Sequence, residues 1–124
     1  IFGVPAIKGI SFGGGFDICS RLGSEVNDAF TMDGDKITTT TNNSGGIQGG
    51  ITNGLPLVMQ VGIKPTPSIY KEQHSVSLSQ KEDTLLTIKG RHDPCVALRA
   101  VPVIEAVTAL VILDFLGDID HELR

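Results

Sequence analysis

The sequence predicts one domain that combines β-strands with helices, and three observations support this fold class. The chain has 124 residues, which is the size of a single domain and enough to bury a core. Several β-branched and apolar runs are separated by glycine-rich breaks, which is typical of strands joined by turns. Residues 99–116, near the C-terminus, form instead a long apolar run that predicts a helix.

The elements follow in order along the chain. Pro5 is expected at the start of the first strand because it cannot donate a ladder hydrogen bond. A short helix is predicted before Gly23, which would cap its C-terminus, and a polar loop follows. The sequence Asp33-Gly34-Asp35 indicates a hairpin turn. The predicted strands are 4–12, 36–41, 55–64, 75–78 and 84–88, and the predicted helices are 16–22 and 99–116.

The last helix is expected to be apolar almost all round, with Pro102 in its first turn, where proline is tolerated. Glu105 is interpreted as a structural acid rather than a catalyst. Because Glu105 and Asp114 interrupt the apolar run, we expect no membrane span. The charged residues after Gly117 are expected to fray.

Charge and cysteine content exclude several classes of function. The net charge is −4 and no long basic run occurs, so no nucleic-acid partner is expected. Cys19 and Cys95 lack a Cys-x-x-Cys spacing, which favours free thiols in a reducing cytoplasm.

The chain begins at Ile1 rather than methionine, and we interpret it as a piece of a longer protein.

The most glycine-dense stretch is 42–54, with the sequence NNSGGIQGGITNG. Glycine pairs allow the backbone to approach a ligand closely and expose its N–H groups. The same pattern is also typical of bulges and turns in a sheet, and the residues alone leave both interpretations open.

Lys64-Pro65-Thr66-Pro67-Ser68 is predicted to be an extended segment because its two prolines exclude a helix. Alternate side chains of an extended segment lie on one side, so Lys64, Thr66 and Ser68 would present an ammonium group and two hydroxyls together. Such a set suits a phosphate. A solvated loop with an incidental lysine explains the pattern equally well.

The loop Lys89–Cys95 lies between a predicted strand and the apolar helix, a position that holds functional groups rigidly. Arg91 offers a planar guanidinium group for phosphate, carboxylate or a flavin carbonyl, and His92 offers an imidazole group. Asp93 could act as a base, or could cap the helix with Pro94 at its first position. His92 and Cys95 lack the spacing of a zinc set, so no metal site is expected.

Taken together, these stretches are similar to one enzyme family. The sequence resembles the C-terminal part of chorismate synthase, and the most specific match is GRHDPC followed by RAVPxxEA. The other matching stretches, in the family's order, are 4–9, 15–16, 23–25, 27–28, 42–54 and 64–68. Ser44 stands where many relatives have alanine, a difference that we expect to be neutral.

The resemblance implies a lyase of the shikimate pathway, in aromatic amino-acid biosynthesis. The reaction is a 1,4-anti elimination of phosphate from 5-enolpyruvylshikimate 3-phosphate to give chorismate. It requires reduced FMN, which lends an electron transiently and accepts a proton at N5, with no net redox change. The resemblance leaves open whether NADPH reduces the flavin on the enzyme or an outside source does. It also implies a cytoplasmic homotetramer.

The resemblance also implies roles for individual residues. Asp93 resembles the acid that assists proton transfer at flavin N5. Arg91 resembles a contact to flavin and substrate, and Gly49 the glycine against which the flavin lies. The implied cofactor-binding residues are Pro5, Ala6, Gly49, Lys64, Pro65, Thr66, Pro67, Ser68 and Arg91.

For the fold, the resemblance implies an α+β architecture in which antiparallel β-sheets sandwich helices, with the 99–116 helix buried between them. The family's N-terminal histidine and arginine motifs have no counterpart here, so residues 1–124 correspond to the C-terminal part of one domain. Such a piece would leave an apolar face bare, and would either self-associate or need its missing half. An alternative interpretation is an inactive folding or oligomerisation half, or a module that binds only the FMN phosphate.

Overall fold

The computed structural model describes the chain over residues 1–122. Its first half carries the strands β1 to β6, a 3₁₀ helix and a short helix α1; its second half carries a hairpin, β7–β8, and the long helix α2. The bounds are β1 Ile7–Phe12, the 3₁₀ helix Gly15–Ser20, α1 Gly23–Val26, β2 Phe30–Asp33, β3 Lys36–Thr39, β4 Ile47–Gln48, β5 Ile51–Thr52, β6 Met59–Ile63, β7 Gln73–Ser77, β8 Glu82–Leu86 and α2 Ala97–Glu122.

Within the described residues, the strands form small antiparallel sheets of two strands each. β1 pairs with β6, and the other three sheets join neighbouring strands: β2 with β3, β4 with β5, and β7 with β8. Antiparallel sheets together with helices agree with the α+β class implied by the family resemblance.

Contacts along the chain divide it into two compact units. The N-terminal unit consists of residue 2 and residues 7–63, and the C-terminal unit of residue 1, residues 3–6 and the chain from Lys64 onward. The boundary falls where β6 ends and the proline-flanked segment begins, because the prolines of that segment cannot continue a sheet ladder.

Glycines at positive φ hold the N-terminal unit together through close backbone approach. Gly13, Gly45 and Gly46 have φ values of +55°, +68° and +83°. A Cβ on Gly13 would collide with the backbone of Asn43 and Gly45, and one on Gly45 would collide with Gly13 and the Val58 carbonyl. Hydrogen bonds cross the same contact, from Gly13 N–H to Val58 O at 2.9 Å and from Gly14 N–H to Asn43 O at 2.9 Å.

Several element boundaries differ from the sequence predictions. The predicted hairpin at Asp33–Asp35 is confirmed, with Gly34 at φ +59° between β2 and β3. The predicted helix 16–22 is a 3₁₀ helix, Gly15–Ser20, and Gly23 begins α1 instead of capping the preceding helix. The polar loop predicted after Gly23 is therefore helical at its start, where the Leu22 N–H donates to Glu25 Oε2 at 2.9 Å.

Helix α2 is longer than the sequence predicted, running from Ala97 to Glu122. Pro102 therefore lies in the second turn, not the first, and the Leu98 carbonyl loses the N–H that would normally bond it. The backbone continues helically past Gly117, where fraying was expected; residues 123 and 124 lie outside the described part of the chain.

The expected hydrophobic core is nearly absent from the described residues. Among the apolar side chains whose burial the structure describes, those of residues 1–117, only Ile7 and Ala100 are buried. Many large apolar side chains of α2 are exposed, including Leu98 at 79%, Leu110 and Leu113 at 65%, and Phe115 at 67%. The prediction of a bare apolar face is therefore confirmed for this chain, whereas burial of the helix between sheets, which was predicted for the complete fold, stays a prediction.

Length and composition alone would also allow the span Ala97–Gly117 to cross a membrane, with a mean hydropathy of 2.0. The sequence interpretation assumed that Glu105 and Asp114 exclude a membrane span. By length and composition, they do not. A single helix of this kind is weak support for a membrane protein, because core helices of soluble proteins meet the same requirement.

Substituting Gly13 tests the close backbone approach, and Gly34 provides a matched control. Both residues have φ near +55°, but only Gly13 has backbone atoms where a Cβ would lie. Gly34→Ala should cost about 1–2 kcal/mol in backbone strain. Gly13→Ala should also displace the Asn43–Gly45 backbone, so amide hydrogen exchange at Gly14 and Val58 should accelerate. Equal exchange in the two variants would contradict the packing role of Gly13.

The bare face of α2 predicts that the chain self-associates in solution. Leu110 and Leu113 lie one turn apart on the helix, so the double substitution L110K/L113K should shift sedimentation towards the monomer. The substitutions S79K/Q80K, in the exposed turn between β7 and β8, add the same charge and should leave association unchanged. A parent chain that sediments as a single monomer and binds no apolar dye would contradict this expectation.

Candidate functional site

Two of the predicted flavin-binding positions meet in the C-terminal unit. The Lys64 N–H donates to the Ala6 carbonyl at 2.8 Å, so the segment at Pro5–Ala6 lies beside the start of the proline-flanked segment. Ala6 has φ +69°, a left-handed conformation that costs a residue with a Cβ about 1–2 kcal/mol. Strain of this kind is often found at ligand-binding positions.

The proline-flanked segment 64–68 presents polar groups that are not engaged by the protein. Lys64 is exposed, while Thr66 and Ser68 are half-buried. The Gln73 side chain donates to the Pro67 carbonyl at 3.4 Å, the upper limit for a hydrogen bond. No hydrogen bond or ion pair among the described residues uses the Lys64 ammonium group or the two hydroxyls, which leaves them available to a ligand.

Tyr70 joins this segment to the loop that carries Arg91 and Asp93. The Gly90 N–H donates to the Tyr70 hydroxyl at 3.2 Å. The rings of Tyr70 and His92 pack edge to face, with centroids 5.8 Å apart. His92 Nε2 is buried and has no hydrogen-bond partner among the described residues. The two loops singled out in the sequence therefore lie together in one unit, with the exposed Arg91 between Gly90 and His92.

Asp93 forms an ion pair instead of the predicted helix cap. Helix α2 begins four residues later, and the Val96 carbonyl accepts its first bonds, from the N–H groups of Arg99 and Ala100 at 3.0 Å. Arg99 Nη2 lies 3.0 Å from Asp93 Oδ1, with the two side chains 75% and 40% exposed. A pair this exposed contributes only about 0–1 kcal/mol to stability, and in the structure it places Oδ1 of the carboxylate against Arg99.

Gly49 belongs to the other unit, where it forms the tip of the β4–β5 hairpin with Gly50. Their φ values of +58° and +80° match the two-residue turn that favours glycine at both central positions. The turn interpretation therefore accounts for this glycine pair. No atom lies within 4 Å of a Cβ built on either residue, so the tip is also open to ligand atoms.

Asp28, the most completely bonded acid of the N-terminal unit, is not among the site residues predicted from the sequence. Its side chain is 3% exposed. Oδ1 accepts from the Thr41 hydroxyl at 2.7 Å and from the backbone and side-chain nitrogens of Asn43 at 2.7 and 3.1 Å. Oδ2 accepts from the Ser44 N–H at 2.9 Å and from its hydroxyl at 2.6 Å. The donors lie 13 to 16 residues away, so no local pattern reveals them.

This arrangement changes the interpretation of two residues. Burial would raise the pKa of Asp28, but the hydrogen bonds from Ser44, Thr41 and Asn43 outweigh it and hold the pKa far below its usual value. The Ser44 hydroxyl is one of these donors, so alanine at this position would lack one hydrogen bond to the carboxylate, and the expectation that the difference is neutral stays a prediction. Asp28 is ionised at every pH at which the protein would normally operate.

The lowered pKa of Asp28 predicts how this region responds to acid. The group is half protonated near pH 3.9 when unfolded and stays ionised to lower pH when folded. Its contribution to stability is therefore full above about pH 4 and is lost only as the pH falls towards the folded pKa. The Asp28 carboxyl carbon should show no NMR titration between pH 7 and pH 4. A midpoint near 4 would contradict the bonded geometry.

Comparison with known proteins assigns the chain to a family. A family model described as chorismate synthase matches residues 1–116, a range that includes all of the predicted site residues. The chain is 48% identical to the chorismate synthase of Archaeoglobus fulgidus over 114 residues and 51% identical to that of Methanosarcina barkeri. These matches cover 92% of this chain but only 32% and 31% of the relatives, so the chain spans about a third of their length.

A solved structure agrees with the sequence comparison. A crystal structure of chorismate synthase is 43% identical, with a TM-score of 0.51, and the match covers 54% of this chain and 20% of that protein. Together with the family match over residues 1–116, this likeness identifies the chain as a member of the chorismate synthase family.

Proposed function

We propose that this chain is the C-terminal third of a chorismate synthase, which eliminates phosphate from 5-enolpyruvylshikimate 3-phosphate to give chorismate with the help of reduced FMN. The observation that carries the proposal is near-50% identity to chorismate synthases over 92% of the chain. The contacts of Ala6 with Lys64 and of Tyr70 with Gly90 support it, because they assemble the positions at which the family would hold its cofactor.

The unengaged groups of the C-terminal unit fit the phosphate of FMN. An ammonium group and two hydroxyls on a proline-stiffened segment can donate to three phosphate oxygens at little entropic cost. Arg91 adds an exposed planar guanidinium group that suits a flavin carbonyl or a substrate carboxylate. Gly49 would offer a surface without a side chain to the flavin ring.

When bound, reduced FMN would supply the transient electron that helps phosphate to leave. The task of Asp93 in this proposal is proton transfer. Arg99 occupies Oδ1 and fixes the carboxylate, which leaves Oδ2 free to exchange a proton with a bound group. Arg99 is thus a positioning residue.

The remaining features of the complete enzyme belong to the same proposal. Covering the bare face of α2 would require the rest of the antiparallel sandwich, in which the helix lies between sheets. We expect the complete enzyme to be a cytoplasmic homotetramer whose flavin is reduced by NADPH or by an outside donor.

A second candidate is a non-catalytic role for the chain by itself. The exposure of α2 and the one-third coverage of the relatives favour a folding or oligomerisation half that binds at most the FMN phosphate. The two candidates differ in whether turnover returns when the remainder of the enzyme is supplied.

A chimera tests the enzyme proposal directly. In this chimera, the chain replaces the 114 matched residues of the Archaeoglobus fulgidus relative. We expect it to bind FMN and to release phosphate from 5-enolpyruvylshikimate 3-phosphate within about tenfold of the parent rate, whereas the chain alone should show no turnover. A folded chimera without turnover would favour the non-catalytic role.

Asp93→Ala in the chimera tests the proposed acid. Loss of a positioned proton-transfer group should lower kcat by about 10²–10⁴-fold while the dissociation constant of FMN changes little. Asp83→Ala, an exposed acid on β8, is the matched control and should leave both quantities unchanged. Unchanged turnover in the Asp93 variant would remove this residue from the mechanism.

A further inference from the structure

The feature that the proposed reaction leaves unused is the buried carboxylate of Asp28. It lies between α1 and β2, in the N-terminal unit, and is not among the catalytic or cofactor-binding residues implied by the family resemblance. A carboxylate that is 97% buried among polar donors is unusual in a unit whose apolar side chains are mostly exposed. Its partners show what it could do.

Among the described residues, five hydrogen bonds to Asp28 come from Thr41, Asn43 and Ser44, at the start of the glycine-dense stretch 42–54. Two of the donors are backbone N–H groups, so the carboxylate fixes the path of the main chain as well as the side chains. Asp28 therefore anchors the start of the segment that ends at the β4–β5 hairpin.

A second set of hydrogen bonds connects the anchored residues to the β4–β5 hairpin. Asn42 lies between the anchored residues; its Nδ2 donates to the Pro56 carbonyl at 2.9 Å, and its Oδ1 accepts from the Gly46 N–H at 2.8 Å. The Gly46 carbonyl in turn accepts from the Asn53 N–H at 3.1 Å. Gly46 and Asn53 bracket β4 and β5, so the bonds beginning at Asp28 end at the base of the hairpin that carries Gly49.

The geometry requires a charged carboxylate at this position. Donors converge on both oxygens, three on Oδ1 and two on Oδ2. An asparagine would have a single acceptor oxygen, and its amide group would face N–H or O–H donors. Removing one acceptor leaves buried donors without partners, which loosens the segment although the side-chain volume is unchanged.

We propose that Asp28 is a positioning residue of the cofactor site, whose ionised carboxylate holds segment 42–54 so that the Gly49 tip is presented to the flavin. This inference rests on the proposed function, because it takes FMN as the ligand of the tip. Asp28 touches neither cofactor nor substrate and acts through Asn43, Ser44 and Gly46. Its loss should therefore weaken cofactor binding more than it slows the chemical step.

The test compares Asp28→Asn with Asp35→Asn in the chimera. Asp35 is an exposed acid at the turn of the β2–β3 hairpin, so its variant controls for the loss of one negative charge. Asp28→Asn should raise the dissociation constant and the apparent KM for FMN by tenfold or more, with kcat at saturating FMN kept within about threefold. The visible spectrum of bound flavin should also change. Asp35→Asn should match the parent in all three measurements.

A third substitution covers the case in which Asp28→Asn fails to fold. Ser44→Ala removes one donor hydroxyl and leaves the carboxylate in place, so it should produce a smaller shift in the same direction. An Asp28→Asn variant, or failing that a Ser44→Ala variant, that binds FMN as tightly as Asp35→Asn would overturn the inference.

The two proposals fail in distinguishable ways. If the parent chimera binds no FMN, the proposed function fails, and amide exchange at Asn43 and Ser44 still decides whether Asp28 anchors the segment. If the parent binds FMN and the Asp28 variant lowers kcat without changing the KM for FMN, the positioning role is wrong while the proposed function stands.

Discussion

The N-terminal unit depends on close backbone approach, where the glycines at 13 and 45 bring two stretches of main chain into contact. The Gly13 N–H donates to the Val58 carbonyl and the Gly14 N–H to the Asn43 carbonyl across this contact. Neither Gly13 nor Gly45 has room for a side chain. Since few apolar groups are buried, these backbone bonds and the buried Asp28 carboxylate provide the order that a hydrophobic core usually supplies.

The C-terminal unit is organised differently, around loops that a long helix and a hairpin support. Tyr70, which follows the proline-flanked segment, accepts a hydrogen bond from Gly90 in the other loop. Arg99, in the first turn of α2, forms an ion pair with Asp93. These contacts fix functional groups without burying them, which suits groups that must meet a ligand. The exposed apolar face of α2 shows that this unit is not self-sufficient in burying its own hydrophobic surface.

Family membership and loop chemistry were accessible from the sequence because both depend on short, contiguous motifs. The GRHDPC loop and the proline-flanked segment were identified from residue types alone, and the structure brings them together in one unit. Their roles toward FMN remain a proposal. A helix was predicted at 16–22, but its 3₁₀ type and the extension of α2 beyond Leu116 were not. Helix type and helix ends depend on local hydrogen bonds that residue propensity hardly distinguishes.

By itself, the sequence determined the hairpin at Asp33–Asp35, the strand-rich pattern and the apolar character of α2, since turn preference and hydrophobic runs are local properties. Only the tertiary structure decided what Asp28 and Arg99 do. The partners of Asp28 lie 13 to 16 residues along the chain, and the partner of Arg99 follows from where the helix actually begins. The sequence does not show whether a charged side chain is hydrated or hydrogen-bonded within the protein. Folding determines this, because it brings distant donors to the carboxylate.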